Sequence, residues 1–95
     1  MFVAGEEIRF IKELEDVKVT ESKATVTLEC ELSKAGLRVE WTKDKKALRR
    51  DERCDIVADG RVHRLVIEDV KSEDIGKYSC TYEKLSTMAN LTIAG

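Results

Sequence analysis

The sequence predicts an all-β fold in which two antiparallel sheets pack face to face around one core. Along several short segments apolar and polar residues alternate with a period of two, which is typical of strands with one buried face. Turn-forming residues separate these segments at short, nearly regular intervals, which favours a sandwich or barrel over alternating strands and helices. The chain has 95 residues, which is the size of one such domain.

The strands are predicted in order from this alternation. Five segments show it most clearly: residues 24–32, 37–42, 64–68, 77–83 and 88–93. Three shorter segments are weaker strand candidates: residues 8–11, 17–20 and 54–57. A helix over 47–53 is a competing interpretation, but the segment is short and its flanks are patterned as strands. A single short helical turn is the most that residues 72–75 are expected to form.

Composition and charge narrow the class of protein. Hydrophobic residues make up 42% and charged residues 38% of the chain, which is too apolar and too patterned for a disordered segment. The formal net charge of −2 gives no global basic field for nucleic acid or an anionic membrane, and no apolar run is long enough to cross a bilayer. The first seven residues lack the features of a signal peptide. We predict a single domain over residues 1–95 with an ordered core over about 8–94.

Three residues carry a resemblance to a known family. Cys30 lies in the middle of one predicted strand, Trp41 lies in the next, and Cys80 ends the segment 74–80, which reads DIGKYSC. This framework, with a tyrosine two residues before the last cysteine, resembles the immunoglobulin fold. The resemblance implies a two-sheet antiparallel immunoglobulin-like sandwich in which Trp41 packs across the two sulfurs and Tyr78 forms a tyrosine corner.

The subtype resembles the intermediate, or I-set, domains, most of all those arranged in tandem in the giant sarcomeric proteins titin and obscurin. The segments that carry this resemblance are residues 9–19, read as a first strand split in two, and residues 29–33, 39–44 and 65–70. Two features depart from the family pattern. The chain has no proline, and Cys54 occupies a strand position that has no fixed cysteine in the family.

The resemblance also implies structural roles for individual residues. Arg53 and Asp74 are expected to form an ion pair near one end of the sandwich, and Gly76 is expected to need a positive φ. The residues expected to be buried in the core are Cys30, Trp41, Tyr78, Cys80, Leu28, Val39, Leu65, Ile67 and Leu91.

The three cysteines, Cys30, Cys54 and Cys80, cannot all pair within one chain. An odd count favours a reducing compartment, because small secreted domains tend to carry even sets. A Cys30–Cys80 disulfide would close a loop of about 50 residues and contribute about 4 kcal/mol in the entropic treatment. In a cytosolic protein the same pair would remain two buried thiols. We expect the reduced pair in the cell, while oxidation in vitro stays open, and Cys54 is expected to bridge to neither of the other two.

Residues with catalytic or ligand-binding chemistry are sparse. No two of the cysteines and His63 have the spacing of a zinc site, so neither a metal nor a cofactor is predicted. His63 is expected to be exposed in a hairpin, and it has no adjacent nucleophile, so an enzyme is not predicted. The basic segment 43–53 contains acidic residues and no aromatic residue, which argues against nucleic acid. Residues 90–92 match the glycosylation sequon, which is a chance match in a cytosolic protein.

These observations predict a non-enzymatic structural and protein-interaction module of a sarcomeric or cytoskeletal filament protein, located in the cytoplasm at the sarcomere or myofibril. The resemblance implies neighbouring domains of the same kind and other sarcomeric or cytoskeletal proteins as partners, no membrane, and a monomeric isolated domain. It also implies that the strand of Val17 and Val19 runs parallel to the strand of Leu91 in a load-bearing arrangement. The alternative is an extracellular adhesion or receptor domain, since fold alone does not decide function.

Overall fold

The computed structural model describes residues 8–21 and 23–93, and it confirms the all-β prediction. The described strands are β1 (Phe10–Lys12), β2 (Val17–Val19), β3 (Val26–Leu32), β4 (Glu40–Lys43), β5 (Lys46–Ala47), β6 (Cys54–Asp59), β7 (Val62–Ile67), β8 (Gly76–Tyr82) and β9 (Leu85–Ile93). A 3₁₀ turn covers Ser72–Asp74, and residues 47–53 form no helix. The expectation that the first seven residues do not form a signal peptide concerns residues outside the described ranges.

The strands form two packed sheets. One has the order β1-β3-β7-β6 and the other has the order β2-β9-β8-β4-β5. Neighbouring strands are antiparallel except β2 and β9, which are parallel. The first strand is split as predicted, because β1 pairs with β3 in the four-stranded sheet while β2 pairs with β9 in the five-stranded sheet. Leu14 is buried where the chain crosses from one sheet to the other.

The core lies between the sheets and is built by the inward positions of the two-residue alternation. Along β3 the buried and less buried residues alternate strictly from Val26 to Leu32. Val39 differs from expectation: it precedes β4, which begins at Glu40, and is only half-buried against the core. The other residues expected in the core are all buried: Cys30, Trp41, Tyr78, Cys80, Leu28, Leu65, Ile67 and Leu91.

The expectation that His63 is exposed in a hairpin turn is wrong. The turn between β6 and β7 spans only Gly60 and Arg61, so His63 lies within β7. Leu65 and Ile67 face the core, and by the two-residue period His63 shares their face; it is 2% exposed. The alternation that predicted burial of Leu65 and Ile67 therefore also contained the signal for His63.

Gly76 is needed for space, and the expectation of a positive φ is wrong. Among the described glycines, positive φ angles occur at Gly36 and Gly60. A Cβ atom added to Gly76 would lie 2.7 Å from Asp44 Oδ2 and 3.0 Å from Lys43 Cε. The turn between β4 and β5 therefore packs directly on the backbone of Gly76, and a larger residue would push it away.

Replacement of Trp41 by alanine is expected to lower the free energy of unfolding by about 3–5 kcal/mol, because it empties the site of the largest buried side chain in the described core. Urea denaturation followed by circular dichroism measures this change. The control is Trp41→Phe, which keeps an aromatic ring in the core and should lose less. A loss below about 1 kcal/mol for Trp41→Ala would contradict the central position of this residue.

Candidate functional site

A polar cluster around Arg53 and Asp74 closes one end of the sandwich. Arg53 Nη1 lies 3.0 Å from Asp74 Oδ2 and Arg53 Nη2 lies 3.3 Å from Asp74 Oδ1, so the guanidinium donates two hydrogen bonds to one carboxylate. Arg53 Nη1 also donates to the carbonyls of Glu68 (3.2 Å) and Asp69 (3.1 Å). The pair expected from the sequence is thus brought together, and it ties the start of β6 to the connection between β7 and β8.

Asp74 also holds the 3₁₀ turn on the core. Its Oδ2 accepts a hydrogen bond from the Lys71 amide (2.8 Å), and its carbonyl accepts one from the Tyr78 hydroxyl (2.7 Å), which forms the tyrosine corner. Burial raises the pKa of Asp74, but the hydrogen bonds from Arg53 and Lys71 outweigh it and hold the pKa below its usual value. Burial, followed by the nearby Asp74 charge, raises the pKa of Tyr78 well above its usual value. Both groups keep one protonation state near neutral pH, so the cluster is a structural lock.

Asp74→Asn is expected to lower the free energy of unfolding by about 1–3 kcal/mol at neutral pH, because Arg53 loses its charged partner. The lowered pKa of Asp74 also has a pH consequence. The ionised carboxylate stabilises the fold above its unfolded-state pKa of about 3.9, and this stability is lost as the pH falls through the folded-state pKa. The variant should therefore show a flatter loss of stability below about pH 4 in urea denaturation.

The control for this prediction is Glu73→Gln. Glu73 Oε1 lies 3.8 Å from Arg53 Nη2, but its side chain is 69% exposed, so its charge is well screened. Glu73→Gln should leave the loss of stability below about pH 4 nearly unchanged. If Asp74→Asn and Glu73→Gln gave the same stability at every pH, the structural role of Asp74 would be refuted.

The three cysteines are all free thiols. Cys30 on β3 and Cys80 on β8 are fully buried neighbours across the core. Their mutual hydrogen bond, followed by burial, raises the pKa of Cys80 far above its usual value. Burial, followed by the charges of Asp51 and Asp55, raises the pKa of the half-buried Cys54. Cys54 and Cys80 therefore lack the low pKa of a nucleophilic cysteine, and Cys30 is closed off from any substrate.

His63 lies in the core without a hydrogen-bond partner at Nε2 among the described residues. In the sheet, His63 on β7 is paired with Cys30 on β3 and with Ala58 on β6. Burial lowers the pKa of His63, because the imidazolium would lose its hydration there. An enclosed neutral imidazole cannot exchange a proton with a substrate, so His63 is a core residue and not a catalytic one.

Burial of His63 predicts a loss of stability in mildly acidic solution. Its folded-state pKa lies below the unfolded value of about 6.5, so on acidification the unfolded chain takes up a proton that the folded chain does not. The free energy of unfolding should therefore fall between about pH 7 and pH 5. His63→Leu should remove this dependence, while the separate loss below about pH 4 remains. Urea denaturation at a series of pH values tests this, and parallel curves for parent and variant would contradict it.

One arginine of the basic segment 43–53 forms contacts within the domain. Arg50 Nη2 donates to the Ile56 carbonyl (2.7 Å), and Arg50 Nε lies 3.0 Å from Asp55 Oδ1. Arg50 therefore covers part of the outer edge of β6, which would otherwise be open for pairing.

Within residues 8–21 and 23–93 no group of three His, Cys, Asp or Glu residues could hold a metal ion. No helix in this part of the chain has the length and apolar character needed to cross a membrane.

The parallel pair of β2 and β9 brings together the residues expected to bear load. Its register places Val17 opposite Leu91 and Val19 opposite Ile93. The Asn90 amide donates to Asp16 Oδ1 (2.8 Å), so even-numbered backbone groups of β9 point toward β2. In this register the amides of Val17 and Val19 therefore point toward β9, whereas the amide of Lys18, between them, points to the open edge of the sheet.

The two-sheet topology, the buried Trp41 framework and the tyrosine corner define an immunoglobulin-like β-sandwich. A model of the immunoglobulin I-set domain matches residues 8–93, and the chain belongs to this family. It is 39% identical to titin of Drosophila melanogaster over 85 residues, which is 88% of this chain. It is 33% identical to cardiac-type myosin-binding protein C of Mus musculus over 95 residues, which is 98% of this chain. The chain spans 7% of the length of the mouse protein and, to the nearest per cent, 0% of the fly titin.

Solved structures show the same relationship. Domain I10 of titin superposes with a TM-score of 0.88 at 26% identity, covering 94% of this chain and 100% of that one. The Ig-like domain 714–804 of human obscurin-like protein 1 gives a TM-score of 0.85 at 25% identity, covering 99% of this chain and 94% of that one. The chain is thus an I-set domain homologous to domains of muscle proteins.

Proposed function

We propose that this domain is a non-catalytic, load-bearing link in a tandem array of a sarcomeric or cytoskeletal filament protein. The names of its relatives support this, since they include titin, cardiac-type myosin-binding protein C and the muscle M-line assembly protein unc-89 of Caenorhabditis elegans. The chain also matches 34% of the solved I9–I11 tandem of titin. This tandem arrangement supports neighbouring domains as partners. Muscle relatives favour the cytoplasmic, myofibrillar location over the extracellular alternative.

The observation that carries the proposal is the parallel pairing of β2 with β9. β2 begins at Val17, in the first part of the chain, and β9 ends at Ile93, near its end. Tension on the two ends pulls these strands in opposite directions along their common axis. The hydrogen bonds of the pair lie across that direction, so they must break together and not one after another. A set of bonds loaded in shear resists force better than the same bonds opened in sequence.

The first half of the split strand is the weaker point under tension. β1 has only three residues, and its pairing with β3 shifts register between Phe10 and Lys12. Tension from the amino-terminal side reaches β1 before it reaches β2. We therefore expect β1 to detach from β3 first, after which the β2–β9 pair carries the load.

Val19→Pro is expected to lower the unfolding force of the domain, because proline removes the amide that points from β2 to β9. Single-molecule force spectroscopy on a polyprotein that contains the domain measures this force. Val19 is also buried, at 7% exposure. Val19→Ala therefore serves as a control that shortens the side chain and keeps the amide.

A second control is Lys18→Pro. The Lys18 amide points to the open edge, and proline at such an edge position leaves the pair with β9 intact. We expect Lys18→Pro and Val19→Ala to unfold at forces close to that of the parent, and Val19→Pro at a clearly lower force. If Val19→Pro unfolded at the parent's force, the β2–β9 pair would not be the load-bearing element.

A further inference from the structure

The two sides of the four-stranded sheet differ in how far they are covered. On one side, the Ile56 carbonyl of β6 accepts a hydrogen bond from Arg50 Nη2 (2.7 Å), and the amide and carbonyl of Cys54 are bonded to the backbone of Asp51. These contacts leave less of β6 available to another strand. On the other side lies β1, which has three residues and pairs only with the end of the seven-residue β3. Most of β3 is therefore uncovered on that side.

The backbone groups of β3 alternate between the two sides of the strand. The Leu32 amide donates to the Arg61 carbonyl (2.9 Å), which lies at the start of β7. The Ser33 amide donates to the Arg9 carbonyl (2.8 Å), which lies next to β1. By this alternation, even-numbered residues of β3 turn their amides and carbonyls toward β7, and odd-numbered residues turn theirs toward the side of β1.

Three odd-numbered residues on that side have no strand beside them. β1 pairs with β3 at Glu31 and Leu32, and the chain then crosses to the five-stranded sheet to form β2. Within the described ranges, the outward backbone groups of Thr25, Thr27 and Glu29 have no backbone partner. We name these three residues the β3 edge. Each of them offers one donor and one acceptor to an added strand.

A cleft runs along the β3 edge. Residues 17–21 line it on one side and residues 24–27 on the other, and its volume is about 320 Å³. Val19 and Val26 are buried and Val17 is half-buried, so the bottom of the cleft is apolar. Because β1 and β2 are the two halves of one split strand, β2 lies below the line along which β1 would have continued beside β3. The cleft is thus the place for one further strand.

The two ends of the cleft are acidic. Glu21 lines one end, and Glu15 precedes Val17 by two positions, so it shares the face of β2 that is turned toward β3. Both carboxylates are exposed, and neither forms an ion pair within residues 8–21 and 23–93. We name these two residues the acidic ends. Lys18 belongs to the opposite face of β2, beside Thr92 on β9.

One extended strand suits this cleft, whereas a second sandwich does not. A sandwich that added its edge strand to β3 would bring its own second sheet to the same side, where β2 already lies. A single strand needs only the spacing of about 4.8 Å between neighbouring strands. Its backbone would bond to the β3 edge, its inward side chains would contact the apolar bottom of the cleft, and basic residues near its two termini would meet the acidic ends.

We propose that this cleft binds one extended segment of another polypeptide by strand addition, antiparallel to β3 and in line with β1. The segment is about seven residues long, which matches the stretch 15–21 that runs beside it. It carries apolar residues at alternate, inward positions and a basic residue near each terminus. This inference goes beyond the proposed load-bearing role and does not depend on it.

The probe for this inference is a capped peptide of sequence KTVTVTK, whose valines and lysines share one face when it is extended. In a nuclear magnetic resonance titration of the whole chain at low salt, it should shift the amide signals of the β3 edge. It should also slow hydrogen exchange of the Thr27 amide, which gains an acceptor. The amide of Ile56, at the edge of β6, should keep its signal. The control peptide ETVTVTE should bind at least about tenfold more weakly, because its termini repel the acidic ends.

A pair of proline variants tests the strand addition itself. Thr27→Pro removes the central amide of the β3 edge and leaves the pairing of β3 with β7 intact. It should bind KTVTVTK at least about tenfold more weakly than the parent. Lys18→Pro is the matched control, because its amide points to the open edge of the other sheet, and it should bind as the parent does. Circular dichroism establishes that both variants are folded.

A charge-reversed variant gives an independent test. Glu15→Lys combined with Glu21→Lys replaces exposed side chains, so it should fold as the parent does. It should prefer ETVTVTE over KTVTVTK, the reverse of the parent's preference. A parent that binds neither peptide at millimolar concentration would overturn the inference. So would a folded Thr27→Pro variant that binds KTVTVTK as the parent does, or a charge-reversed variant that keeps the parent's preference.

Discussion

The packing of Trp41 inside the sandwich determines the orientation of most of the five-stranded sheet. Trp41 stands opposite Cys80 on β8, and both point into the core. Because side chains alternate along a strand, Thr42 and Ser79 must then point outward. The register carries this outward position to Met88 on β9. The buried core and the uncharged outer row are therefore two consequences of one alternation, and a one-residue slip in β4 would exchange them.

The same alternation explains how far the sequence alone could predict the fold. Local pattern and family resemblance identified the described strands except the two-residue β5, and they also identified most of the core and the split first strand. The expectation for His63 is wrong because the turn before β7 spans only Gly60 and Arg61. His63 therefore lies within β7, in the phase that Leu65 and Ile67 already set. The expectation for Gly76 is wrong because the reason for glycine there is the close approach of Asp44, from a turn more than thirty positions away in sequence. The partners of Arg50 on β6 likewise depend on how the chain folds back after β5.

The structural lock and the proposed load-bearing pair, β2 with β9, occupy different parts of the molecule. Arg53, Asp74 and Tyr78 fix the start of β6 and the connection from β7 to β8. Tension applied through the chain ends reaches β1, β2 and β9 without first crossing this cluster. In the proposed load-bearing role, the lock keeps the body of the sandwich intact while the terminal strands carry force. That proposal has β1 detach first and the β2–β9 pair resist next, so the chain yields in steps before the core opens.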